Sequence, residues 1–224
     1  MPTIYLLGVS TVEDNTPPFR GWGWAFRELT AEGVTVANHA KSGCSTRSFL
    51  DDGRFKPVLD APKPGDYVMI QFGHNDEKDD AERHTDPWGS FLQNLNRFCD
   101  GAISRGAQPI LLTPPCRRYF VSTCSLMYTH GEYAAAIRRL AQLRGLPLCD
   151  LKAMTRSLYL SLGKEKTAEL FVQIPAGEHP RYPDGHHDMT HFNADGAKVI
   201  AGLVADWMRS AAELARLIRT EATQ

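Results

Sequence analysis

Residues 66–72 read Asp-Tyr-Val-Met-Ile-Gln-Phe, and Gly73-His74-Asn75-Asp76 follows them directly. A short apolar run that ends at a glycine is typical of a buried strand that enters a tight turn. Runs of the same character predict four more strands, at 3–7, 34–37, 109–113 and 146–150. Apolar residues spaced by three or four predict helices at 20–31, 87–105, 131–144, 151–162 and from Asn193 to Thr220.

Strands that alternate with helices need right-handed crossover connections, and such connections build a parallel sheet with helices on both faces. The sequence of 224 residues contains no repeat and no linker, so residues 1–224 are expected to form a single α/β domain. Active residues in such folds lie in loops beyond the carboxyl ends of the strands. The loops after residues 7, 38 and 72 are therefore the first candidates for chemistry.

The composition argues against several classes of function. A formal net charge of −1 with 23% charged residues predicts no nucleic-acid partner, and no apolar run approaches the ~20 residues that span a membrane. The N-terminus enters the first strand without the features of a signal peptide, which predicts a cytoplasmic protein, or a secreted one whose leader is missing from this sequence. Five widely spaced cysteines without a CxxC pair indicate free thiols.

The segment Asp188-Met189-Thr190-His191 places a carboxylate three residues before a histidine. The aspartate is expected to accept a hydrogen bond from one ring nitrogen, which leaves the other nitrogen free to act as a base. Such a base needs a hydroxyl group to deprotonate. The candidate is Ser10, which follows the first strand and the turn glycine Gly8, although a serine at this place also suits a helix cap.

Two further loops carry groups that suit an oxyanion. Gly43, after the second strand, can turn its N–H toward a reacting oxygen because no side chain intervenes, and a plain turn glycine is the alternative. Asn75, after the third strand, can donate its side-chain amide, or can simply stabilise a turn.

Taken together, these residues resemble the SGNH hydrolases, also called the GDSL family. Ser10, Gly43 and Asn75 match the serine, glycine and asparagine of three family motifs, and Asp188 with His191 matches the DxxH motif. The resemblance is closer to the rhamnogalacturonan acetylesterase-like branch, and it runs from about residue 4 to residue 205. The segments that carry it are GWG (21–23), SGCSTRSFLDDGR (42–54), QFGHND (71–76), TP (113–114), THGEY (129–133) and THF (190–192).

This resemblance implies a flavodoxin-like three-layer α/β/α sandwich with a five-stranded parallel sheet. It implies a serine esterase that removes O-acetyl groups from a carbohydrate, with pectic, rhamnogalacturonan-type oligosaccharides or polysaccharides as the expected substrate. Ser10 would be the nucleophile, His191 the base and Asp188 its partner, with the Ser10 N–H, the Gly43 N–H and Asn75 around the oxyanion. No cofactor and no metal are expected, and the oligomeric state is left open.

Arginine and aromatic residues near the strand ends are candidates for substrate binding. Arginines can meet uronate carboxylates and aromatic rings can stack on sugars, whereas surface ion pairs and ordinary packing are the alternatives. The arginines are Arg47, Arg83, Arg117 and Arg118, and the aromatic residues are Trp22, Trp88 and Tyr119.

One position departs from the family pattern. The family has Gly-Asp-Ser where this chain has Gly8-Val9-Ser10. The aspartate resembles a brace for the loop, and a shift of ~1 Å in a reacting group can cost ~10²-fold in rate. Three outcomes stay open: a compensated active enzyme, a catalytically weakened one, and an inactive protein that only binds carbohydrate.

The segment 179–191 supports a different hypothesis, a metal-dependent hydrolase. It contains His179, Asp184, His186, His187, Asp188 and His191. His187 and His191 would have the spacing of metal ligands if this segment were helical. The serine mechanism already accounts for Asp188 and His191, which makes the metal hypothesis the weaker of the two.

Overall fold

The computed structural model describes residues 1–220. The strands are β1 (Thr3–Gly8), β2 (Thr35–Asn38), β3 (Tyr67–Gln71), β4 (Gln108–Leu112), β5 (Phe120–Ser122), β6 (Ser125–Leu126), β7 (Leu148–Cys149), β8 (Phe171–Ile174) and β9 (His186–Phe192). The α-helices are α1 (Trp22–Phe26), α2 (Thr46–Asp51), α3 (Lys56–Asp60), α4 (Ser90–Ser104), α5 (Gly131–Arg144), α6 (Leu151–Ala168) and α7 (Ala194–Ser210). Two 3₁₀ turns lie at Arg27–Leu29 and Ala215–Leu217.

The main sheet contains the five strands that the sequence predicts. Their order is β2-β1-β3-β4-β7, and every neighbouring pair is parallel. The predicted boundaries differ from the observed ones by no more than two residues. The predicted α/β class with a five-stranded parallel sheet is therefore confirmed. The carboxyl ends of β2, β1 and β3 lie side by side, because Leu6 pairs with Asn38 and Gly8 pairs with Gln71.

Alternate residues of each strand pack into two separate apolar layers. Ile4 and Leu6 contact the layer built from α1, α6 and α7, whereas Tyr5 and Leu7 contact the layer built from α2, α4 and α5. Burial of each such side chain contributes roughly 1.5–3 kcal/mol, and a parallel sheet needs this cover on both faces. The sheet thus gives rigid support to the loops at its carboxyl edge.

Two predicted helices extend too far. The helix expected at 20–31 is observed as α1 followed by a 3₁₀ turn that ends at Leu29. It stops there because Thr30 is extended and forms a β-bridge with Ile218. The helix expected to continue to Thr220 ends at Ser210, because Ala211 leaves the helical conformation with φ −95° and ψ 110°. Leu214 and Ile218 are buried nonetheless, in a separate segment that pairs with Thr30 through Ile218.

Two antiparallel hairpins were not predicted. One joins β5 and β6 within the segment 114–132, and the other joins β8 and β9. The second matters for function, since β9 carries Asp188 and His191. Asn193, directly after β9, caps α7 by accepting a hydrogen bond from the Gly196 N–H. None of the helices in the described part of the chain is long and apolar enough to cross a membrane.

Two glycines of α7 provide a test of this packing. A Cβ atom at Gly196 would lie 1.8 Å from the main-chain oxygen of Leu170, whereas at Gly202 it would meet nothing within 4 Å. Gly196→Ala is therefore expected to lower the free energy of unfolding by about 2–3 kcal/mol or more, because backbone cannot move aside cheaply. Gly202→Ala is expected to raise it by about 0.5–1 kcal/mol. Urea unfolding of both variants checks this, and equal effects would contradict the packing of α7 against the start of β8.

Candidate active site

Ser10 lies just beyond β1, and its hydroxyl reaches a histidine from the other end of the chain. Ser10 Oγ is 3.0 Å from His191 Nε2, although 181 positions separate the two residues. On the other side of the ring, His191 Nδ1 is 2.8 Å from Asp188 Oδ2. The edge of the Phe19 ring packs against the imidazole, with the ring centroids 5.8 Å apart. An imidazole held in this way can accept the proton of the hydroxyl.

An irregularity in β9 makes this arrangement possible. Side chains three residues apart point to opposite faces of a regular strand, so Asp188 and His191 would not meet. Phe171 pairs with Phe192 and Gln173 pairs with His187, so two residue steps along β8 correspond to five along β9. The Asp188–His191 segment therefore bulges out of the strand pairing. Within the bulge, Asp188 Oδ1 accepts hydrogen bonds from the N–H groups of Thr190 (2.6 Å) and His191 (2.8 Å). The resulting turn brings the carboxylate and the imidazole together.

The surroundings of Asp188 keep it ionised. Burial alone raises the pKa of a carboxyl group, but here the hydrogen bond and charge of His191, together with the two main-chain N–H groups, outweigh burial. They hold the pKa of Asp188 well below its usual range. His186 Nε2 lies 3.1 Å from the same oxygen that contacts His191. The aspartate is therefore an anion at neutral pH and can orient the imidazole and stabilise its positive charge.

The neighbouring loops carry free N–H groups. Within residues 1–220, the main-chain N–H groups of Ser10 and Gly43 donate to no other main-chain group. Gly43 has a φ of +83°, a left-handed conformation that favours glycine. A Cβ atom there would meet nothing within 4 Å, so the backbone at this position faces open space. Asn75 Nδ2 donates to the Cys44 oxygen at 2.8 Å, which fixes the amide and leaves its second N–H unused.

Asp76 connects the loop of Asn75 to the loop of Gly43. Its buried carboxylate accepts hydrogen bonds from the Thr46 N–H (2.9 Å), the Gly73 N–H (3.1 Å) and the hydroxyls of Thr46 and Thr85. Burial raises the pKa of this carboxyl to about 6, although the four donors favour the ionised form. The carboxylate thereby fixes the start of α2 relative to the turn at Gly73.

A second set of contacts connects the loop of Ser10 to the loop of Gly43. Asn15 Nδ2 donates to the Ser10 oxygen at 2.8 Å, and Asn15 Oδ1 lies 3.0 Å from the Ser42 hydroxyl. Glu13 accepts hydrogen bonds from the Ser42 N–H (2.6 Å), the Ser42 hydroxyl and Lys41 Nζ (3.1 Å). The Ser10 loop is thus braced without an aspartate at position 9.

Val9 itself belongs to the apolar core. Its side chain is 0% exposed and lies in one cluster with Leu7, Cys44 and Phe72. A valine suits these surroundings, whereas a carboxylate would need polar partners to offset the cost of its burial.

Two of the arginines predicted to bind substrate form ion pairs at the surface. Arg47 lies 3.7 Å from Asp51, one turn further along α2. Arg83 binds both carboxylate oxygens of Asp80 through its Nε and Nη2 atoms. Exposed pairs of this kind are ordinary surface features. Nothing in their contacts singles out either residue for substrate binding.

Arg117 and Arg118 contact the candidate site more closely. Arg117 Nη2 donates to the main-chain oxygen of His74, which precedes Asn75, and the main-chain N–H of Arg118 donates to the Met189 oxygen in β9. Arg117 also pairs with Glu77 at 2.8 Å, and its side chain is only 12% exposed. The segment 117–118 therefore touches both the Asn75 loop and the strand of Asp188.

The predicted aromatic residues fall into different environments. Trp22 is 1% exposed, and its Nε1 donates to Gln71 Oε1 at 2.8 Å, so its prediction as a sugar-stacking residue is wrong. Its apolar neighbours in helix α1 and the core explain the burial. Trp88 is 51% exposed, with its Nε1 3.3 Å from Glu132, and Tyr119 is half-buried at the edge of a cavity that also contains Arg117.

The histidine-rich segment does not have the geometry that the metal hypothesis needs. His187 and His191 lie in strand β9 rather than in a helix, and His187 Nδ1 contacts Gln173 Oε1 at 2.7 Å. No group of three or more His, Cys, Asp or Glu side chains among residues 1–220 is placed to hold a metal ion.

Sequence reasoning missed the residues that connect the loops. They are Glu13, Asn15, Ser42 and Asp76, whose partners lie between 3 and 30 positions away. Asp76 belongs to the QFGHND segment and directly follows Asn75, so its position in the sequence could have indicated a role in this loop. Glu13 and Asn15 had no comparable signal, because polar residues after a strand usually belong to a solvated turn.

Comparison with known proteins agrees with this architecture. The family model of the GDSL-like Lipase/Acylhydrolase family matches residues 6–199. Rhamnogalacturonan acetylesterase RhgT from Bacillus subtilis is 44% identical over 206 residues, which cover 91% of this chain and 88% of RhgT. A rhamnogalacturonan acetylesterase from Emericella nidulans is 29% identical over 219 residues, which cover 89% of this chain and 81% of that protein.

Solved structures show the same fold. The Bacillus subtilis protein YxiM aligns with a TM-score of 0.81 and 26% identity over 94% of this chain and 57% of the longer YxiM chain. A mutant of Axe2, an acetylxylan esterase from Geobacillus stearothermophilus, aligns with a TM-score of 0.61 and 14% identity over 92% of this chain and 93% of Axe2. Because the family model covers most of the sequence and RhgT is similar over nearly its whole length, the chain belongs to the GDSL-like lipase/acylhydrolase family and is a carboxylic ester hydrolase.

Proposed function

We propose that the protein is a serine esterase that removes O-acetyl groups from a carbohydrate, with pectic, rhamnogalacturonan-type oligosaccharides as its substrate class. The observation that carries the proposal is the contact of 3.0 Å between Ser10 Oγ and His191 Nε2, with Asp188 behind the ring. The names of the relatives supply the acyl group and the substrate class, since RhgT and the Emericella protein are called rhamnogalacturonan acetylesterases.

In the first step, Ser10 Oγ attacks the acetyl carbonyl carbon while His191 Nε2 takes the hydroxyl proton. The attack forms the new carbon–oxygen bond and moves the carbonyl electrons onto oxygen. Asp188 stays ionised and stabilises the imidazolium, which is consistent with the depressed pKa of its carboxyl. His191 then returns the proton to the departing sugar oxygen, and an acetyl-serine remains.

The negative oxygen formed in this step needs donors. Among residues 1–220, the Ser10 N–H, the Gly43 N–H and the second N–H of Asn75 have no hydrogen-bond acceptor, and they lie in three adjacent loops. Removal of one such donor typically lowers kcat by ~10²–10³. The contacts of Asp76 and Glu13 support the proposal, because they fix these loops before substrate binds and so lower the cost of reorganisation.

Water completes the reaction. His191 removes a proton from a water molecule, the hydroxide attacks the acetyl carbon, and acetate leaves as Ser10 recovers its proton. Side chains and water suffice for both halves of this mechanism. Since the His191 side chain is 36% exposed, the site lies at an open surface, which suits a small acyl group on a bulky carbohydrate.

Variants of the three central residues test the mechanism. Ser10→Ala and His191→Ala are each expected to lower kcat/KM for acetate release from an acetylated oligosaccharide by at least ~10³-fold. Asp188→Ala should leave a larger residual rate, because it orients the base without contacting the ester. Ser210→Ala, at the far end of α7, serves as the matched control with unchanged activity. Substantial turnover by the Ser10→Ala variant would contradict the proposal.

Val9→Asp separates a compensated enzyme from a weakened one. The new carboxylate would enter an apolar cluster, so we expect the free energy of unfolding to fall by about 3 kcal/mol, with no gain in kcat. Val9→Thr, which keeps the shape of valine and replaces one methyl with a hydroxyl, should lower the free energy of unfolding by about 1–2 kcal/mol. Urea unfolding and acetate-release kinetics check both variants. Unchanged stability with a tenfold rise in kcat would show instead that the natural chain lacks a needed brace.

A further inference from the structure

A cavity of about 490 Å³ opens beside the candidate active site, and the mechanism above does not use it. The residues that line it include Glu77, Arg117, Tyr119, Tyr128, His130 and Glu132. Arg117 contacts the main chain of His74 next to Asn75, and its neighbour Arg118 contacts Met189 next to Asp188. The wall of this cavity is therefore connected through residues 117 and 118 to the two segments that carry Asn75 and Asp188.

Arg117 has donors to spare. Its Nε lies 3.3 Å from His130 Nε2, and its Nη2 donates to Glu77 and to the His74 oxygen. Among the described residues, no hydrogen bond involves its Nη1 atom, which carries two N–H groups. A guanidinium fixed on one side and free on the other is well suited to bind a carboxylate.

A second cation lies behind the cavity wall. The Lys152 side chain is 2% exposed, and within residues 1–220 its ammonium has no hydrogen-bond partner. Its Nζ atom lies 4.4 Å from the centre of the Tyr128 ring. A buried ammonium without a hydrogen-bond partner is costly, and burial accordingly lowers the pKa of Lys152. An anion bound nearby would offset this cost.

The other charged groups around the cavity leave an excess of positive charge in its buried part. Burial lowers the pKa of both His74 and His130, so neither imidazole adds charge at neutral pH. Glu77 is the carboxylate in contact with Arg117, while Asp150 is bound by Arg138 through two hydrogen bonds. Glu132 lies at the exposed rim, where solvent screens its charge.

Tyr128 offers a flat surface above these charges. The residue is 64% exposed, and Lys152 Nζ lies over its ring at 4.4 Å from the ring centre. A Cβ atom at Gly131 would lie 2.6 Å from the Tyr128 ring, so glycine at this position lets one edge of the ring approach the start of α5. An exposed ring of this kind is a platform on which a sugar can stack.

We propose that this cavity binds a uronate residue of the oligosaccharide, with the sugar ring on Tyr128 and its carboxylate on Arg117 Nη1. The positive charge of Lys152, behind the Tyr128 ring, attracts the carboxylate electrostatically without contacting the sugar. The inference rests on the proposed function, since it assumes a carbohydrate substrate in the adjacent site. It assigns the recognition of acidic sugars to Arg117 and excludes Arg47 and Arg83, whose surface pairs lie outside this cavity.

The test compares one acetylated, uronate-containing oligosaccharide with the same oligosaccharide after methyl esterification of its carboxylates. The natural protein is expected to show a kcat/KM at least ~10-fold higher for the free acid, as one charge-assisted hydrogen-bonded pair implies. Arg117→Gln should bring the ratio of the two kcat/KM values close to one. This ratio is internal to each variant, so a general loss of activity does not affect it.

Two further variants sharpen the comparison. Lys152→Met removes the buried charge, keeps the shape and leaves the contacts of Arg117 intact, and it should lower the ratio several-fold. Arg139→Gln, an exposed arginine of α5 that contacts Gln142, should keep the full ratio. Equal rates of the natural protein on both substrates would overturn the uronate site and leave the esterase proposal standing. Absence of acetate release from both substrates would overturn the proposed function itself.

Discussion

The hydrogen bond between Ser10 Oγ and His191 Nε2 joins the loop after β1 to strand β9. The two residues are 181 positions apart in the sequence, so local structure around either one cannot bring them together. Their distance depends on two supports. The parallel sheet fixes Ser10 at the end of β1, and the β8–β9 hairpin, anchored to α7 through Asn193, carries His191 to the same edge.

Around this contact, the loops at the carboxyl edge hold one another rather than resting separately on the sheet. Asn15 and Glu13 connect the Ser10 loop to Ser42, and Asp76 connects the Gly73 turn to Thr46. Because Gly43 lies between Ser42 and Thr46, both sets of contacts converge on the loop of the proposed oxyanion donor. These contacts brace the loops in a chain that has a buried valine at position 9 instead of the family's aspartate.

The sequence was sufficient for the sheet and for the residues that meet at its edge, and the reasons are physical. Short apolar runs that end at a turn residue, such as 66–72, favour buried strands. The carboxyl ends of parallel strands lie at one edge of the sheet, which brings the loops of Ser10, Gly43 and Asn75 together. The β8–β9 hairpin escaped prediction because β9 is polar along most of its length, and its bulge cancels the alternation that marks a strand. The end of α7 escaped because an apolar spacing of three or four fits a helix and a succession of short turns equally well. The contacts of Glu13 and Lys152 depend on tertiary structure, for which a single sequence holds no local pattern.

The most direct measurement is labelling with a fluorophosphonate, which reacts with a serine only when a base activates it. Peptide mapping after labelling is expected to find one adduct, on Ser10, and the rate of labelling should fall sharply in the His191→Ala variant because the base is then missing. A label on any other residue, or labelling of Ser10 at an undiminished rate without the imidazole, would contradict the central claim that His191 activates Ser10.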